Sequence, residues 1–273
     1  MNQENLIEHW SPGRAFFVRL FIGLSCLGAT LMARTAEWPS DTRLSGNAFL
    51  PSGLLKMQAD VANSPVTLWL DKGRLLWSDS SAGPSCQSCH GPVESLKTSA
   101  PSFPRLTPDS QRLINLEDQI SSCRSRSGRT DIKAEDDDGL ALSALLNESA
   151  KGLAISVAAP PGQSNEWQAH LERGAKLFNT RLGRINLACV HCHEQNVGKQ
   201  MRADVISPAN PTGFPIFRMS WQRLGSVERR LRACYSGVQA ELPAPGDPVL
   251  RELELYLKVR ASGMPLDGPS IRR

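Results

Sequence analysis

Two short segments restrict this chain more than anything else in it: Cys86-Gln87-Ser88-Cys89-His90 and Cys189-Val190-His191-Cys192-His193. Each reads C-x-x-C-H. Two thiols at that spacing can add to the two vinyl groups of one porphyrin, and the histidine that follows reaches the iron from one side; this is the attachment pattern of a c-type haem. Two rival chemistries use paired cysteines. A zinc site needs four ligands in one shell, and a redox-active dithiol has no use for the histidine. The pair of motifs therefore implies two covalently bound haem c groups and their iron. Cys86, Cys89, Cys189 and Cys192 attach them, and His90 and His193 ligate the metal. A haem is a large apolar body, so an aromatic content of only 6% does not prevent each motif from anchoring a core.

The motifs lie 103 residues apart in a chain of 273, which is domain spacing. Gly73-Arg74-Leu75-Leu76-Trp77 precedes the first, and Gly174-Ala175-Lys176-Leu177-Phe178 precedes the second, so one local plan occurs twice. Pro160-Pro161-Gly162 breaks any helix running between them. Arg14 and Arg19 lead into an apolar run from Leu20 to Ala33, followed by small residues, which reads as an export signal. The run is too short for a confident membrane span. A lipidated Cys26 and an uncleaved anchor are the alternatives. The expected organisation is a signal peptide over 1–36, a first cytochrome c-like domain over 37–155 and a second over 156–273, located in the bacterial periplasm without stable membrane insertion. The formal charge of +4, with no basic run interleaved with aromatics, excludes a nucleic-acid binder.

Helical periodicity predicts an all-α fold of two cytochrome c-like domains in tandem, each carrying one haem. Apolar residues recur at helical spacing over Trp167–Phe178, Gln111–Cys123, Gly139–Leu146 and Val249–Val259. The acidic stretch from Asp131 to Asp138 reads as solvated surface.

Of the seven cysteines, Cys26 falls in the signal and four belong to the motifs, leaving Cys123 and Cys234. One follows each motif, and each iron has a sixth position to fill. No methionine lies between Met57 and Met201 and no histidine between His90 and His170, so Cys123 is the local candidate for the first iron. For the second, Met201, Met219, Met264 and His191 compete with Cys234. A disulfide between Cys123 and Cys234 is the structural alternative, since an exported protein permits one. A thiolate ligand would lower the reduction potential of its iron. Cys234 has a basic setting, Glu228-Arg229-Arg230-Leu231-Arg232-Ala233-Cys234-Tyr235-Ser236-Gly237. Arg230, four residues earlier, shares its helical face, while Arg232 faces away and Arg229 reads as solvated. Gly237 is placed to cap the helix C-terminus. Arginines beside a thiolate lower its pKa and can hold an oxyanion.

Both C-x-x-C-H motifs, the single cysteine after each, and the segment Arg229-Arg230-Leu231-Arg232-Ala233-Cys234-Tyr235-Ser236-Gly237 together resemble the SoxA cytochromes of the sulfur-oxidising Sox pathway, in their two-haem form. The resemblance implies an L-cysteine S-thiosulfotransferase that conjugates thiosulfate oxidatively to the C-terminal cysteine of the SoxY carrier, held in SoxYZ. Two electrons pass to a small monohaem SoxX subunit. It further implies that Cys234 ligates the catalytic haem and can carry an extra sulfur as a persulfide. Arg230 would then bind a sulfonate oxygen of thiosulfate, with Arg232 as second choice. A thiosulfate dehydrogenase forming tetrathionate and a pure electron-transfer dihaem cytochrome are the alternatives.

Overall fold

A computed structural model describes residues 43–107, 112–129 and 135–273. The expected signal, and the lipidated Cys26 and uncleaved anchor that are its alternatives, lie outside these residues. Among the described residues no helix is long and apolar enough to cross a membrane.

The same succession of elements occurs twice. In the first half, a short helix α1 (Ser52–Ala59) leads to α2 (Pro65–Ser78), the motif helix α3 (Cys86–His90), a two-residue ribbon of β1 (Arg105–Leu106) and β2 (Leu113–Ile114), then α4 (Leu116–Arg126) and α5 (Asp137–Ser149). In the second half come α6 (Ser164–Asn179), the motif helix α7 (Cys189–His193) and the ribbon of β3 (Gln200–Met201) and β4 (Asp204–Val205). They are followed by the antiparallel pair of β5 (Ile216–Arg218) and β6 (Arg223–Gly225), α8 (Val227–Gly237) and α9 (Pro248–Arg260). The terminal strand β7 (Ser270–Arg272) returns to lie parallel to β5. The fold is thus helical at its core but not all-α, because three small sheets hold the loops that follow each motif.

Local chemistry sets the helix boundaries. The helix expected from Gln111 starts later, at Leu116, because Asn115 and Asp118 form a reciprocal capping box and Leu113–Ile114 pair with Arg105–Leu106 instead. Ser226 caps α8 by accepting from the Arg229 amide at 3.2 Å. Gly237 does not cap that helix. It is the last helical residue, and the left-handed position falls on Gln239 (φ 57°).

The repeated glycines have a packing role. A Cβ on Gly73 of α2 would stand 2.5 Å from the Ala141 carbonyl oxygen of α5, and one on Gly174 of α6 would stand 2.2 Å from that of Glu252 in α9. Backbone contact at these two crossings lets Trp77 and Phe178, one turn further on, enter their cores.

The cores nevertheless cross the midpoint of the chain. Ala261, Met264 and Leu266 pack with Trp77, Leu145 and Ile155. Phe217, Leu224 and Ile271 pack with Val66, Leu140 and Ala144. The described residues form one compact unit. The acidic stretch contributes to this union and is not plain solvated surface. Asp136 and Asp138 pair with the buried Arg124, Asp137 pairs with Arg223, and the Glu135 carboxylate takes the Ser226 hydroxyl and the Arg229 amide. Burial pushes the Glu135 carboxyl above its ordinary range.

Candidate haem sites

Ser85 starts α3 by accepting from the Ser88 amide at 3.0 Å, which places Cys86 and Cys89 on successive turns at the mouth of a cleft of about 320 Å³. Cys86, Cys89, His90 and Cys123 all line this cleft, with Leu76 and Leu142 as its apolar wall. The indole of Trp77 donates to the Gly91 carbonyl at 3.0 Å and lies 6.3 Å from the His90 ring, centroid to centroid. Burial, and then the facing Cys123 sulfur, push the Cys86 thiol up. Cys123 therefore belongs to the first motif.

Cys234 belongs to the second. Burial first, and then the Cys234 sulfur, raise the thiols of Cys189, to about 11, and of Cys192. Cys86, Cys89, Cys123, Cys189, Cys192 and Cys234 are all unbridged, and the two lone cysteines face different motifs, so they form no disulfide with each other. Among the described residues no group of three or more metal-ligating side chains gathers in the way a zinc site requires.

The histidines of the two motifs are held differently. His193 Nδ1 donates to the Ser207 carbonyl at 2.6 Å. That bond orients the ring and leaves Nε2 as the nitrogen that faces Cys234. Cys234 lies opposite. Burial raises its thiol, but Arg230, a hydrogen bond and the charge of the His193 imidazole, and Arg218 outweigh it, leaving the thiol at about 7. An imidazole and a thiol facing one another beside two further thiols is the donor set a covalently bound haem with two axial ligands needs, and the residues present fit it. The surroundings are apolar: Phe178, Val227, Leu231, Tyr235 and Leu253 form the core against which Cys189 packs.

Other candidates for that iron fall away. Met264 is buried in the first core. Met201 and Met219 are exposed, and the His191 ring accepts from the Ala188 amide at 2.9 Å within its own loop.

The arginines sort themselves by geometry. Arg230 shares the Cys234 face as its spacing requires, and its guanidinium makes no ion pair or hydrogen bond among the described residues. Arg232 points its Nε at the Pro243 carbonyl, 2.9 Å away. Arg229 is not simply solvated: its guanidinium lies 4.7 Å from the Trp221 ring centroid, and burial lowers its pKa. Arg218, which sequence reasoning missed, acts on Cys234 more directly than Arg232. It is lowered by burial and by Arg230, and Arg272 on the neighbouring strand is pulled down to about 10 by burial, partly offset by Asp267 and reinforced by Arg230. No spacing rule connects Arg218 on β5 to Cys234 on α8; only the tertiary fold does.

Together the fold and these motif helices define a c-type cytochrome. A family model of the SoxA/TsdA cytochrome c domain matches residues 72–155. The L-cysteine S-thiosulfotransferase subunit SoxA of Pseudaminobacter salicylatoxidans is 32% identical over 86% of this chain and 82% of its own length. The SoxA of Rhodovulum sulfidophilum is 29% identical over 84% and 79%. The crystal structure of SoxXA from Paracoccus pantotrophus superposes with a TM-score of 0.76 at 27% identity, over 84% of this chain and 86% of the matched one. The chain belongs to the SoxA family of haem-dependent L-cysteine S-thiosulfotransferase subunits.

Proposed function

We propose that this chain is an exported, two-haem catalytic subunit that joins thiosulfate to the C-terminal cysteine of the SoxY carrier in SoxYZ and passes two electrons to a SoxX cytochrome. Residues 1–36 are its signal, and 37–155 and 156–273 each carry one haem c. Cys86, Cys89, His90 and Cys123 would hold the first, and Cys189, Cys192, His193 and Cys234 the second.

The observation that carries this reading is Cys234 itself, a sulfur set apart from its neighbours. Against burial, Arg230 and Arg218 lower its thiol, whereas Cys189 beside it is raised by burial and by the neighbouring sulfurs. Both arginines favour its thiolate, the form that ligates metal and exchanges sulfur. Arg230 and Arg218 supply the positive field that a sulfur dianion needs beside a thiolate. Ser207 would keep His193 in the tautomer that can ligate a metal. When bound, the haem at this site supplies a nearby electron acceptor. In the net change an S–S bond forms between the carrier sulfur and thiosulfate, the carrier thiol loses its proton, and two electrons leave. Arg232, held by Pro243, takes a supporting place behind Arg230.

The test is Cys234→Met in the periplasmically expressed, haem-loaded protein. Its intact mass retains two haems, its ferric electron paramagnetic resonance spectrum loses one low-spin thiolate signal, and SoxYZ-dependent thiosulfate consumption falls to background. A spectrum and an activity that both survive the substitution overturn the assignment. Turnover of thiosulfate with an electron acceptor and no carrier overturns the reaction.

A further inference from the structure

The two lone cysteines occupy the same place in two matching helices. α4 and α8 are both 11 residues long, with Asn115 and Ser226 as caps, and Cys123 and Cys234 are each eighth in line. Residues three after and four before share the cysteine's face. Around Cys123 those positions hold Arg126 and Gln119. Around Cys234 they hold Gly237 and Arg230.

Both neighbours of Cys123 donate to its sulfur. Gln119 Nε2 and Arg126 Nη2 each lie 3.2 Å from Sγ. Neither is free to turn away. Gln119 Oε1 accepts from Arg105 Nη2 at 3.0 Å, which aims the amide nitrogen at the sulfur, and Arg105 is itself stacked 4.4 Å from the Phe103 ring centroid. Arg126 is steadied by its Nη1 donating to Ser122 Oγ at 2.7 Å. Around Cys234 the counterpart of Arg126 has no side chain, and a Cβ built on Gly237 meets nothing within 4 Å.

We infer that Gln119 and Arg126 are positioning residues that hold Cys123 as a doubly hydrogen-bonded, unreactive sulfur, while Gly237, with no side chain, puts no such donor on Cys234. This rests on the proposed ligation of the first haem by Cys123. Charge-assisted hydrogen bonds to a thiolate draw electron density from it. They weaken its donation to ferric iron, which raises the potential, and they occupy the lone pairs through which it would attack another sulfur. Sulfur chemistry is thereby confined to the second half, although both halves present a cysteine at the same helical position.

The test uses the haem-loaded chain carrying Arg126→Gly, which reproduces the second half's arrangement at an exposed position, and Gln119→Leu. Each variant lowers the midpoint potential of the first haem, by about tenfold in its one-electron equilibrium, or about 59 mV. The second haem does not shift. Arg126→Lys, which returns one donor, recovers part of the change. Peptide mass spectrometry after exposure to inorganic polysulfide detects added sulfur on Cys234 alone in the parent protein. In this exchange a thiolate attacks an S–S bond and a shortened polysulfide leaves. In Arg126→Gly added sulfur is also detected on Cys123. A first-haem potential unmoved by both variants, in a protein that shows the thiolate signature, overturns the inference and leaves the ligation standing. A parent protein whose first haem lacks that signature overturns the ligation and the inference with it.

Discussion

The wall of the first haem site carries Arg124, Arg126 and Arg129, and the second has Arg218 and Arg230 beside its lone cysteine; the arginines of the two sites are partnered differently. Arg124 is bound to Asp136 and Asp138, Arg129 to Asp79, and Arg126 is turned onto the Cys123 sulfur. The Arg230 guanidinium has no acid partner among the described residues, while Arg218 pairs with Asp204 at 3.3 Å and donates to the Arg273 carbonyl at 2.6 Å. A dianion entering the first cleft meets Arg124 and Arg129 already paired with acids and Arg126 turned onto a sulfur, whereas at the second it meets Arg230, whose guanidinium pairs with no acid among the described residues. The difference teaches that counting basic residues near a cysteine does not locate an anion site; what matters is which of them lack a partner.

The sharpest way to break this comparison is to remove the unpaired cation. Arg230→Ala lowers carrier-dependent thiosulfate turnover by about tenfold to a thousandfold, equivalent to about 1.4–4 kcal/mol of transition-state stabilisation. Both haems stay attached and the first-haem spectrum is unchanged. Arg232→Ala, losing a guanidinium already committed to Pro243, has a smaller effect. Steady-state kinetics with SoxYZ in excess measures both; equal losses would show that the field, and not Arg230 in particular, is what thiosulfate reads.

The opposite manipulation makes the first wall resemble the second. Asp136→Asn weakens the pair that holds Arg124, which is 8% exposed. Breaking a buried pair costs about 3–5 kcal/mol when no other counter-charge remains. Asp138 keeps part of the compensation, so about 2 kcal/mol is expected here, read as a lower unfolding midpoint in denaturant. An unchanged midpoint would show that Asp138 alone satisfies Arg124.

Packing offers a third comparison, because both halves cross their helices at a glycine. Gly174→Ala and Gly73→Ala each force two backbones apart, at about 1–3 kcal/mol. Gly174 is the more sensitive, since its Cβ would approach the opposing carbonyl oxygen to 2.2 Å against 2.5 Å. Thermal unfolding of the two haem-loaded variants orders them. The reverse order would mean that α6 and α9 can slide where α2 and α5 cannot.

How much of this was legible in the sequence depends on how local the chemistry is. The motif helices, the cysteine after each and the Arg230–Cys234 pairing are consecutive or one-turn relations, and periodicity shows them. The glycine before each motif was visible as a repeat, but its cause, a backbone contact with Ala141 or Glu252, was not. Arg218 reaches Cys234 from a strand, Asp136 reaches Arg124 across residues that read as a solvated acidic run, and Trp221 covers Arg229. Each is a tertiary partner with no spacing signature. The short strands escaped because two-residue ladders leave no alternation to detect. The crossing of the cores through Met264, Leu266 and Ile271 escaped because a break at Pro160-Pro161-Gly162 interrupts a helix without separating what packs around it.

The smallest expected effect concerns a position where the halves differ deep in the interior. Ser143 on α5 and Glu254 on α9 occupy equivalent helical positions, and both turn toward Glu117, Ser143 donating to its carboxylate at 2.7 Å. Burial first, and then the charge of Glu117, push Glu254 up to about 8, against Arg251, Lys258 and a 3.1 Å hydrogen bond from Asn115. Burial raises Glu117 as well. An unfolded chain releases the Glu254 proton near 4.5, while the folded chain holds it to about 8. The unfolded state therefore binds fewer protons across that window, and the stability this group contributes is full below about 4.5 and lost as pH rises to about 8. Lys258, lowered by burial, works in the other sense and adds stability as pH rises. Glu254→Gln keeps an acceptor for Asn115 and cannot ionise. The decline in melting temperature between pH 5 and pH 8 should therefore be shallower in the variant than in the parent. Parallel curves would mean that Glu254 stays ionised in the folded protein, compensated by Lys258 and Arg251, and that the two halves are electrostatically more alike at their centre than at their haem sites.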